Sequence, residues 1–537
     1  MINLLHEHDE TPPMAAMPLF LVFFLAFLAL LHLAMKQQGA ARRSKQNKHK
    51  QPADGGLRCL PPSPPWLPVI GHLHLVGFLP HVSLRGLDAR YGRGGLMLIR
   101  LGAVPTLVVS SPRAAEAVTR THDHRLASRP PSTSAAALLN GSLDVAFAAY
   151  GEHWRQAKKL LTTHLLTARK VQSYRAGREE EVRLAVAKVR GAAEAGGEVD
   201  MSELLYGFTT DVMCRAVSGG RFFKVGDRTR LFRELLDATA ALIGGVNMED
   251  YFPWLLRFGV YRRAICAKAD KVRKRWDELL DRVIDDHEGK MVEEEEPDFI
   301  EVLLSHQHEY GLTKDHLKAM LIDIFFGGTD TSYIVLEFIM AELLRNPRVM
   351  SVLQAEIRRC VPEGQQMVTE DNLSALPYLK AVINETLRLH PPAPLLAPHY
   401  SMTDVHVDGY MIPAKIPILV NAWALGRDKS VWADAEEFKP ERFMGIDVDI
   451  NFKGNDFQFL PFGAGRRICP GMNFSISTLE IMVANLMYRF NWEVPVGMGC
   501  IDMTEVFRLT VHRKEKLILV PKINALRIVN NNFNNKS

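Results

Sequence analysis

The chain has 537 residues, of which 47% are hydrophobic and 23% are charged, which is an ordinary balance for a globular protein. Its formal net charge of +4 is too small for this length to indicate a nucleic-acid partner, and no basic helix or nucleic-acid motif is present. Length alone favours about three domains, but no low-complexity stretch or fixed-period repeat divides the chain, so one large domain is also compatible.

The six cysteines are scattered along the chain. None forms a CxxC pair, and their spacing is typical neither of a zinc site nor of a disulfide framework. This usage indicates a reducing compartment, where a lone cysteine is more often buried, catalytic or a metal ligand.

Residues 14–35 form an almost wholly apolar run that is long enough to cross a bilayer. A buried core helix would be apolar on one stripe only, and a cleaved signal peptide would have basic residues before a shorter apolar region. Here acidic residues precede the run and basic residues follow it, so the positive-inside rule places the C-terminal bulk in the cytosol. We expect one N-terminal transmembrane helix within residues 1–35, with a cleaved signal as the alternative.

The sequence PPSPPWLP at residues 61–68 follows the basic stretch. Consecutive prolines fix φ and make a stiff, extended segment. Because this segment lies between the anchor and the body, we interpret residues 36–70 as a basic linker and proline-rich hinge; a partner-binding polyproline stretch is the alternative.

The body, residues 71–525, is predicted to be mainly α-helical with small β-sheets, followed by a polar tail at 526–537. Two short strands surround a Gly-Ala-Val-Pro turn over residues 96–109, and Pro112 begins a helix. Further strand-like alternation occurs over residues 403–419. Helices are predicted over residues 154–166, 179–193, 202–217, 229–243, 261–287, 314–345, 346–360, 376–390 and 469–490. No βαβ alternation is visible, which argues against a Rossmann-type enzyme.

Two glycines lie in the middle of the longest predicted helix, in the sequence GGTDTS at residues 327–332. Each costs about 1 kcal/mol in a helix interior. A local opening of the helix beside a bound ligand would explain them, and would leave Asp330 and Thr331 at the opening. An ordinary kink is the alternative.

A glycine-rich loop, FGAGRRICPG at residues 462–471, precedes the last helix. The loop fits FxxGxRxCxG and resembles the haem-thiolate signature of the cytochrome P450 family. The physical chemistry fits this resemblance: a helix N terminus and a nearby cation, chiefly the ferric iron of the family, favour a thiolate at Cys469. Glycines let the backbone approach a flat porphyrin, and Arg467 offers a charged donor for a propionate. A buried free cysteine beside a turn is the alternative.

The resemblance implies the cytochrome P450 fold, with haem b (iron protoporphyrin IX) between the long central helix and the cysteine loop. It makes Cys469 the axial iron ligand and places Phe462, Gly465 and Arg467 around the cofactor. It also implies that Asp330 and Thr331, in a stretch similar to (A/G)GxDT(T/S), organise water and deliver protons.

An ExxR sequence at residues 385–388 and a PERF sequence at residues 440–443 resemble two further motifs of the family. The spacing puts Glu385 and Arg388 on one helix face. The resemblance implies that Arg442 joins this pair and locks the chain beneath the haem, which is a structural role.

A WxxxK sequence resembles the family's WxxxR motif, whose ends contact haem propionates. It supplies Trp154 and Lys158, and lysine cannot make the bidentate fork of arginine. His399 stands where many relatives have a propionate-binding arginine, so it either bonds a propionate or lines the loop.

Other stretches resemble the plant microsomal group, notably AWALGRD at residues 422–428. Residues 101–113 and 510–516 resemble grass enzymes that hydroxylate indole and indolin-2-one on the way to benzoxazinoids. The resemblance implies a small hydrophobic plant metabolite, either indole-derived or terpenoid, as substrate.

The family's recognition segments correspond to residues 135–147, 325–330, 393–397 and 506–510. Within them, four side chains predict an apolar pocket: Phe326, Leu395, Leu396 and Phe507. Arg508 is charged where those relatives tend to have a small residue, so it either changes the substrate or lies outside the pocket.

The function implied is hydroxylation that depends on NADPH and dioxygen. No flavin or nicotinamide fingerprint is present, so electrons must come from a partner, which we expect to be NADPH–cytochrome P450 reductase. The anchor predicts a single-pass protein of the endoplasmic reticulum membrane with a cytosolic catalytic domain. A haem-thiolate lyase or isomerase and a non-catalytic haem-binding membrane protein are the alternatives.

Overall fold

The structure is a computed structural model that describes residues 59–219, 228–244, 247–288, 297–362, 364–445 and 450–524. The predicted transmembrane helix, most of the basic linker and the polar tail therefore lie outside the described residues. Within the described part, one helix is long and apolar enough to cross a membrane, and most of its apolar window is buried inside the protein.

The described part is mainly helical. The α-helices are α1 (Pro80–Tyr91), α2 (Pro112–Glu116), α3 (Asp123–Leu126), α4 (Thr133–Leu138), α5 (Glu152–Leu160), α6 (Ala168–Ser173), α7 (Arg175–Glu194), α8 (Met201–Ser218), α9 (Arg228–Ile243), α10 (Met248–Tyr251), α11 (Gly259–Glu288), α12 (Phe299–His306), α13 (Lys314–Arg345), α14 (Pro347–Cys360), α15 (Pro377–Leu389), α16 (Ala422–Leu425) and α17 (Met472–Arg489).

The predicted helices are confirmed, with ends that shift by a few residues. Ser111 caps α2 by accepting the N–H of Ala114, and Pro112 takes the first turn as predicted. The helix predicted to begin near Cys469 begins instead at Met472, because the N–H of Cys469 bonds back to the carbonyl of Phe462 and keeps that part of the chain in a loop.

Short strands form small sheets at the periphery. The strands are β1 (Leu96–Leu101), β2 (Val104–Val109), β3 (Val199–Asp200), β4 (His399–Tyr400), β5 (Val405–Val407), β6 (Tyr410–Ile412), β7 (Pro417–Val420), β8 (Phe490–Glu493), β9 (Glu505–Phe507), β10 (Val511–Arg513) and β11 (Ile518–Ile523). The largest sheet has the order β1-β2-β7-β4, and β2 pairs with β7 in parallel. In the predicted hairpin Leu101 pairs with Val104, so Val104 already lies in β2.

Helix α13 runs through the main hydrophobic core and packs against α8, α15 and α17. It stays helical through Gly327 and Gly328, where the sequence predicts a local opening. The Thr331 hydroxyl donates to the Gly327 carbonyl at 2.7 Å, which satisfies that carbonyl. A Cβ on Gly328 would lie 2.4 Å from the sulfur of Met213 on α8, whereas one on Gly327 would meet nothing within 4 Å. Gly328 therefore permits close helix packing, and Gly327 leaves an open face.

The ExxR side chains and the PERF arginine form one buried ion network. Glu385 and Arg388 on α15 pair at 2.7 Å with both side chains fully buried. Arg442 donates to the same carboxylate at 3.0 Å. Arg388 also donates to the carbonyls of Gly426 and Ala435, at 2.5 and 2.7 Å. The network thus ties α15 to the irregular chain that leads to the cysteine loop.

We predict that Glu385→Gln lowers the free energy of unfolding by about 3–5 kcal/mol, because it leaves the Arg388 charge buried without its counter-ion. Glu441→Gln is the matched control, because Glu441 pairs with Arg348 at the surface, where the side chains are 42% and 66% exposed. The control should lose about 1 kcal/mol or less. Thermal and urea unfolding of the purified proteins measure both, and equal losses would contradict a special role for the buried network.

Candidate active site

The cysteine loop (residues 462–471) is held by close backbone contacts. The N–H of Cys469 donates to the Phe462 carbonyl at 2.9 Å. Gly465 has φ of +65°, and a Cβ there would lie 2.0 Å from the carbonyl oxygen of Thr119. Both facts require glycine at this position. The loop therefore presents the Cys469 sulfur from a fixed backbone just before α17.

The surroundings of Cys469 act on its thiol in opposite directions, and burial is the largest of these effects. Burial raises the pKa of the Cys469 thiol, whereas the N–H of Gly471 and the charge of Lys158 lower it. The thiol also lies near the N terminus of α17, whose dipole favours negative charge. A bound metal cation would complete the ionisation, because thiolate and not thiol is the metal ligand.

Lys158 faces the cysteine loop. Its ammonium donates to the carbonyl of Ile468 at 2.5 Å. Burial lowers the pKa of Lys158 to about 8, although the charge of the Cys469 thiolate acts in the opposite direction. The lysine of the WxxxK sequence thus bonds to the backbone of the loop that carries the sulfur.

Two buried guanidinium groups lie together here: Arg467, which belongs to the cysteine loop, and Arg129, from the chain between α3 and α4. Each donates to three backbone carbonyls. Burial lowers the pKa of Arg129 to about 10 and that of Arg467 to about 9, and the charge of Arg129 contributes to the second shift. Among the described residues, no carboxylate forms an ion pair with either group within 4.0 Å. Asp144 acts on both guanidinium groups, but only from beyond ion-pair distance. A ligand with two carboxylates, such as haem, fits these two unpaired buried cations.

His399 and Trp154 lie in the same region. The Nδ1 of His399 is 3.3 Å from the carbonyl of Leu126, and burial together with the charges of Arg129 and Arg467 lowers the His399 pKa to about 3. The Trp154 ring lies 4.2 Å from the Arg467 guanidinium. Trp154 thus packs against one of the two cations, and burial beside both arginines favours a neutral His399 ring.

A pair of buried carboxyl groups joins α13 to the chain between α4 and α5. Asp323 accepts the N–H groups of Val145 and Ala146 at 2.8 and 2.9 Å. Burial, followed by the neighbouring charge of Asp144, raises the pKa of Asp323 well above its usual range. Burial and the neighbouring carboxyl group therefore both favour the protonated form of Asp323.

Asp330 and Thr331 are adjacent on α13 but have different partners. Thr331 donates to the carbonyl one turn earlier. Asp330 accepts a hydrogen bond from the hydroxyl of Thr510 at 2.7 Å. The carboxylate is therefore bound to the hairpin formed by β9 and β10, near the C-terminal end of the body.

The structure distributes the four apolar residues predicted to line the pocket over three clusters. Leu395 and Phe507 pack in one small cluster near β1, Leu396 packs in another, and Phe326 packs against the main core. Leu396 lies beside the cysteine loop, because a Cβ on Gly463 would be 3.7 Å from its side chain. Among these four, Leu396 therefore has the most direct contact with the cysteine loop.

Strand alternation gives Phe507 a different environment. Phe507 shares its face of β9 with Glu505, and both approach His81. Val506 points to the other face, together with its cross-strand partner His512. Val506, which is 36% exposed, is therefore the β9 residue on the Asp330 side of the hairpin.

Sequence reasoning missed Arg129, Asp323, Thr510 and His512. The first two carry no local signal, because their partners are backbone groups and charges from distant segments. Thr510 and His512 lie in the stretch TVHRKEK, which resembles the grass enzymes. Because residues two apart on a strand share one face, the sequence could have placed these two polar side chains together.

A family model described as cytochrome P450 matches residues 61–520. Three curated proteins of Zea mays are similar over most of their lengths. Indole-2-monooxygenase is 54% identical, covering 96% of this chain and 97% of that protein. Indolin-2-one monooxygenase is 51% identical, covering 93% and 94%. 3-hydroxyindolin-2-one monooxygenase is also 51% identical, covering 92% and 94%.

Solved structures show the same fold. A zebra fish cytochrome P450 with abiraterone has a TM-score of 0.72 at 24% identity, and the match covers 84% of this chain and 100% of that one. A second zebra fish cytochrome P450 structure, with progesterone, has a TM-score of 0.71. This fold and family imply a haem cofactor, which the residues around Cys469 fit.

We predict that Arg129→Met weakens haem retention by about 1.5–3 kcal/mol, which is the usual contribution of a hydrogen bond to a charged group. Arg120→Met is the control, because Arg120 is 67% exposed and pairs with Glu116 at the surface. The rate of haem transfer to apomyoglobin measures the effect. Equal transfer rates for the two variants would show that Arg129 does not hold the cofactor.

Proposed function

The chain belongs to the cytochrome P450 family, and we propose that it is an NADPH- and dioxygen-dependent monooxygenase that hydroxylates a small hydrophobic, indole-type compound. The observation that carries the proposal is the arrangement around Cys469. The sulfur lies on a glycine-shaped loop at a helix N terminus, beside two buried cations with which no carboxylate of the described residues forms an ion pair. We propose haem b as the cofactor, because its two propionates match that charge.

In the proposed site, Cys469 would hold the iron, and Arg467 and Arg129 would hold the propionates. When bound, the haem supplies the activation of dioxygen and the transfer of one oxygen atom to a C–H bond. The protein keeps the sulfur in place by the loop contacts, and Gly471 and Lys158 offset part of the cost of its negative charge.

Asp330 and Thr331 are proposed to supply protons at the open face of α13. Thr331 carries an exchangeable hydroxyl hydrogen, and its oxygen lies one helical turn from Gly327, where a side chain would meet nothing within 4 Å. Asp330 is a carboxyl group held by a hydroxyl and able to bind one proton. General acid catalysis by such groups contributes typically about 10²- to 10⁴-fold.

The indole-type substrate class rests on the three maize relatives, which are named for indole, indolin-2-one and 3-hydroxyindolin-2-one. Apolar side chains in the candidate recognition segments, such as Leu395 and Leu396, suit a flat aromatic ring. A terpenoid of similar size remains the second substrate class for assay.

We propose a membrane location and a reductase partner. Large apolar side chains are exposed at the start of the described chain and before α11, including Trp66 and Trp254 at 41% and 47%. The two regions are linked, because Arg100 lies over the Trp66 ring and Ala103 bonds to the carbonyl of Tyr251. Exposed tryptophans favour a membrane interface, which supports anchoring at the endoplasmic reticulum with the catalytic domain in the cytosol.

Electrons are proposed to come from the NADPH–cytochrome P450 reductase of the same membrane. Lys159 on α5 and Arg169 on α6 are both exposed. Their positive charges are available for docking of the reductase. Arg466 contributes less, because it pairs with the buried Asp123 at 3.0 Å.

The alternatives are a haem-thiolate lyase or isomerase and a non-catalytic haem-binding protein. A lyase or isomerase needs neither dioxygen nor a reductase. The intact Asp330–Thr331 pair and the monooxygenase names of the relatives favour hydroxylation over both alternatives.

We predict that the reduced protein with carbon monoxide shows the absorption band of a thiolate-ligated haem, and that Cys469→Ser abolishes it. Cys500→Ser is the control, because Cys500 is exposed and lies outside the loop. A wild-type band typical of a histidine-ligated haem, or a Cys469→Ser protein that keeps the thiolate band, would overturn the ligand assignment.

We also predict that membranes containing the protein and reductase convert an indole-type compound to a hydroxylated product only when NADPH is added. Indole, indolin-2-one, 3-hydroxyindolin-2-one and a terpenoid panel should be tested with product identification by mass spectrometry. Product formation without NADPH and reductase would favour a lyase or isomerase, and product from terpenoids alone would overturn the substrate class.

A further inference from the structure

Two side chains of the terminal hairpin (β9, β10 and their turn) connect Asp330 to an imidazole. The Asp330 Oδ2 accepts the hydroxyl of Thr510 at 2.7 Å, and the same hydroxyl oxygen lies 3.0 Å from Nε2 of His512. Nε2 and Oδ2 are 3.6 Å apart, which is too far for a direct hydrogen bond. The Thr510 hydroxyl is therefore the link between the imidazole and the carboxylate.

Hydrogen-bond chemistry fixes the direction of this link when Asp330 is ionised. A carboxylate only accepts, so the one hydroxyl hydrogen of Thr510 points to Asp330. The Thr510 oxygen then accepts from His512, whose Nε2 must carry a hydrogen. The three groups thus form a continuous N–H···O–H···O path in which each hydrogen points toward Asp330.

We propose that His512 supplies protons to Asp330 through the Thr510 hydroxyl, an inference that rests on the proposed monooxygenase function. The Nε2–H bond of the imidazolium breaks and its proton joins the Thr510 oxygen, while the original hydroxyl hydrogen of Thr510 forms a new O–H bond on Asp330. The imidazolium becomes neutral imidazole and the carboxylate becomes a carboxylic acid, so atoms and charge balance. A hydronium ion of the solvent then returns a proton to the ring, whose side chain is 22% exposed, and becomes water.

Titratable and charged side chains face His512 from each element that packs against it. Asp330 and Tyr333 face it from α13, Asp237 from α9, and Arg508 from the hairpin turn. Burial lowers the pKa of His512 most strongly, Asp330 and Asp237 raise it, and Arg508 lowers it. A lower pKa makes the protonated ring a stronger acid, which favours transfer of its proton to Asp330.

The same path suggests a role for Arg508, the charged residue of the hairpin turn. Its side chain is exposed in the turn between β9 and β10, and its charge acts on both His512 and Asp237. We infer that Arg508 affects the acidity of His512. His512 itself acts through Asp330, so it is a positioning residue and not a catalytic one.

The test compares His512→Gln and Thr510→Val with His406→Gln, a control on β5 whose side chain is exposed. Glutamine keeps a hydrogen-bond donor but cannot pass a proton on, and valine removes the hydroxyl at similar volume. We expect all three proteins to form the carbon monoxide band. NADPH-driven product per NADPH should fall about 10-fold in the first two variants, with more hydrogen peroxide released and a smaller solvent isotope effect.

Turnover driven by added hydrogen peroxide separates proton supply from structure, because peroxide brings its own protons. It should change less than about 2-fold in both variants, well below the acid–base effect expected for the NADPH-driven reaction. Equal losses in the two reactions would show a merely structural role, and no loss in either would show that the path is not used. Both outcomes overturn the proposal.

A readout without turnover distinguishes failure of this inference from failure of the proposed function. The His512 ring, labelled with ¹³C and observed by NMR in the diamagnetic ferrous carbon monoxide form, should titrate at lower pH in Asp330→Asn and at higher pH in Arg508→Ala. Unchanged titration in both variants would overturn the connection, whatever substrate the protein oxidises. If the titrations shift but no substrate is hydroxylated, the proposed function fails and the charge coupling stands.

Discussion

Buried positive charge beside the cysteine loop is the constraint on which much of this structure depends. An uncompensated ion inside a protein costs several kcal/mol, yet Arg129 and Arg467 lie together away from solvent. Backbone carbonyls accept their hydrogen bonds and thereby shape the chain that supplies them. The haem propionates would pair with these two cations, so cofactor binding is expected to stabilise this part of the fold.

Helix α13 carries acidic side chains that connect the separate parts of the site. Asp323, Asp330 and Glu337 are seven residues apart, a spacing that keeps them near one face of the helix. Asp323 holds the chain before α5, Asp330 holds the terminal hairpin, and Glu337 bonds the hydroxyl of Ser202 at the start of α8. One rigid element therefore fixes the positions of three segments that are distant in sequence.

The sequence predicts those features whose cause is local. Helices with regular apolar spacing, the glycine-shaped loop at Cys469 and the Glu385–Arg388 pair all follow from residues within a few positions of one another. Features that depend on tertiary contacts were missed. Glycine is needed at position 328 because Met213 of another helix packs against it. Arg129 can be buried because the folded chain brings distant carbonyl groups within hydrogen-bond distance of it. Composition and periodicity carry no information about such pairings.

The terminal hairpin joins a proposed recognition segment to the proposed proton path at Asp330. On one face of β9, Glu505 contacts His390 and His81; burial raises the Glu505 pKa, but these two contacts outweigh it and hold the pKa at about 2. This buried charge cluster anchors the base of the hairpin. The opposite face carries Val506 and His512 toward Asp330. Because Val506 is the cross-strand partner of His512, a substitution at Val506 would also disturb the groups that contact Asp330. Changes in substrate preference at this hairpin are therefore expected to alter the efficiency with which oxygen chemistry is coupled to product.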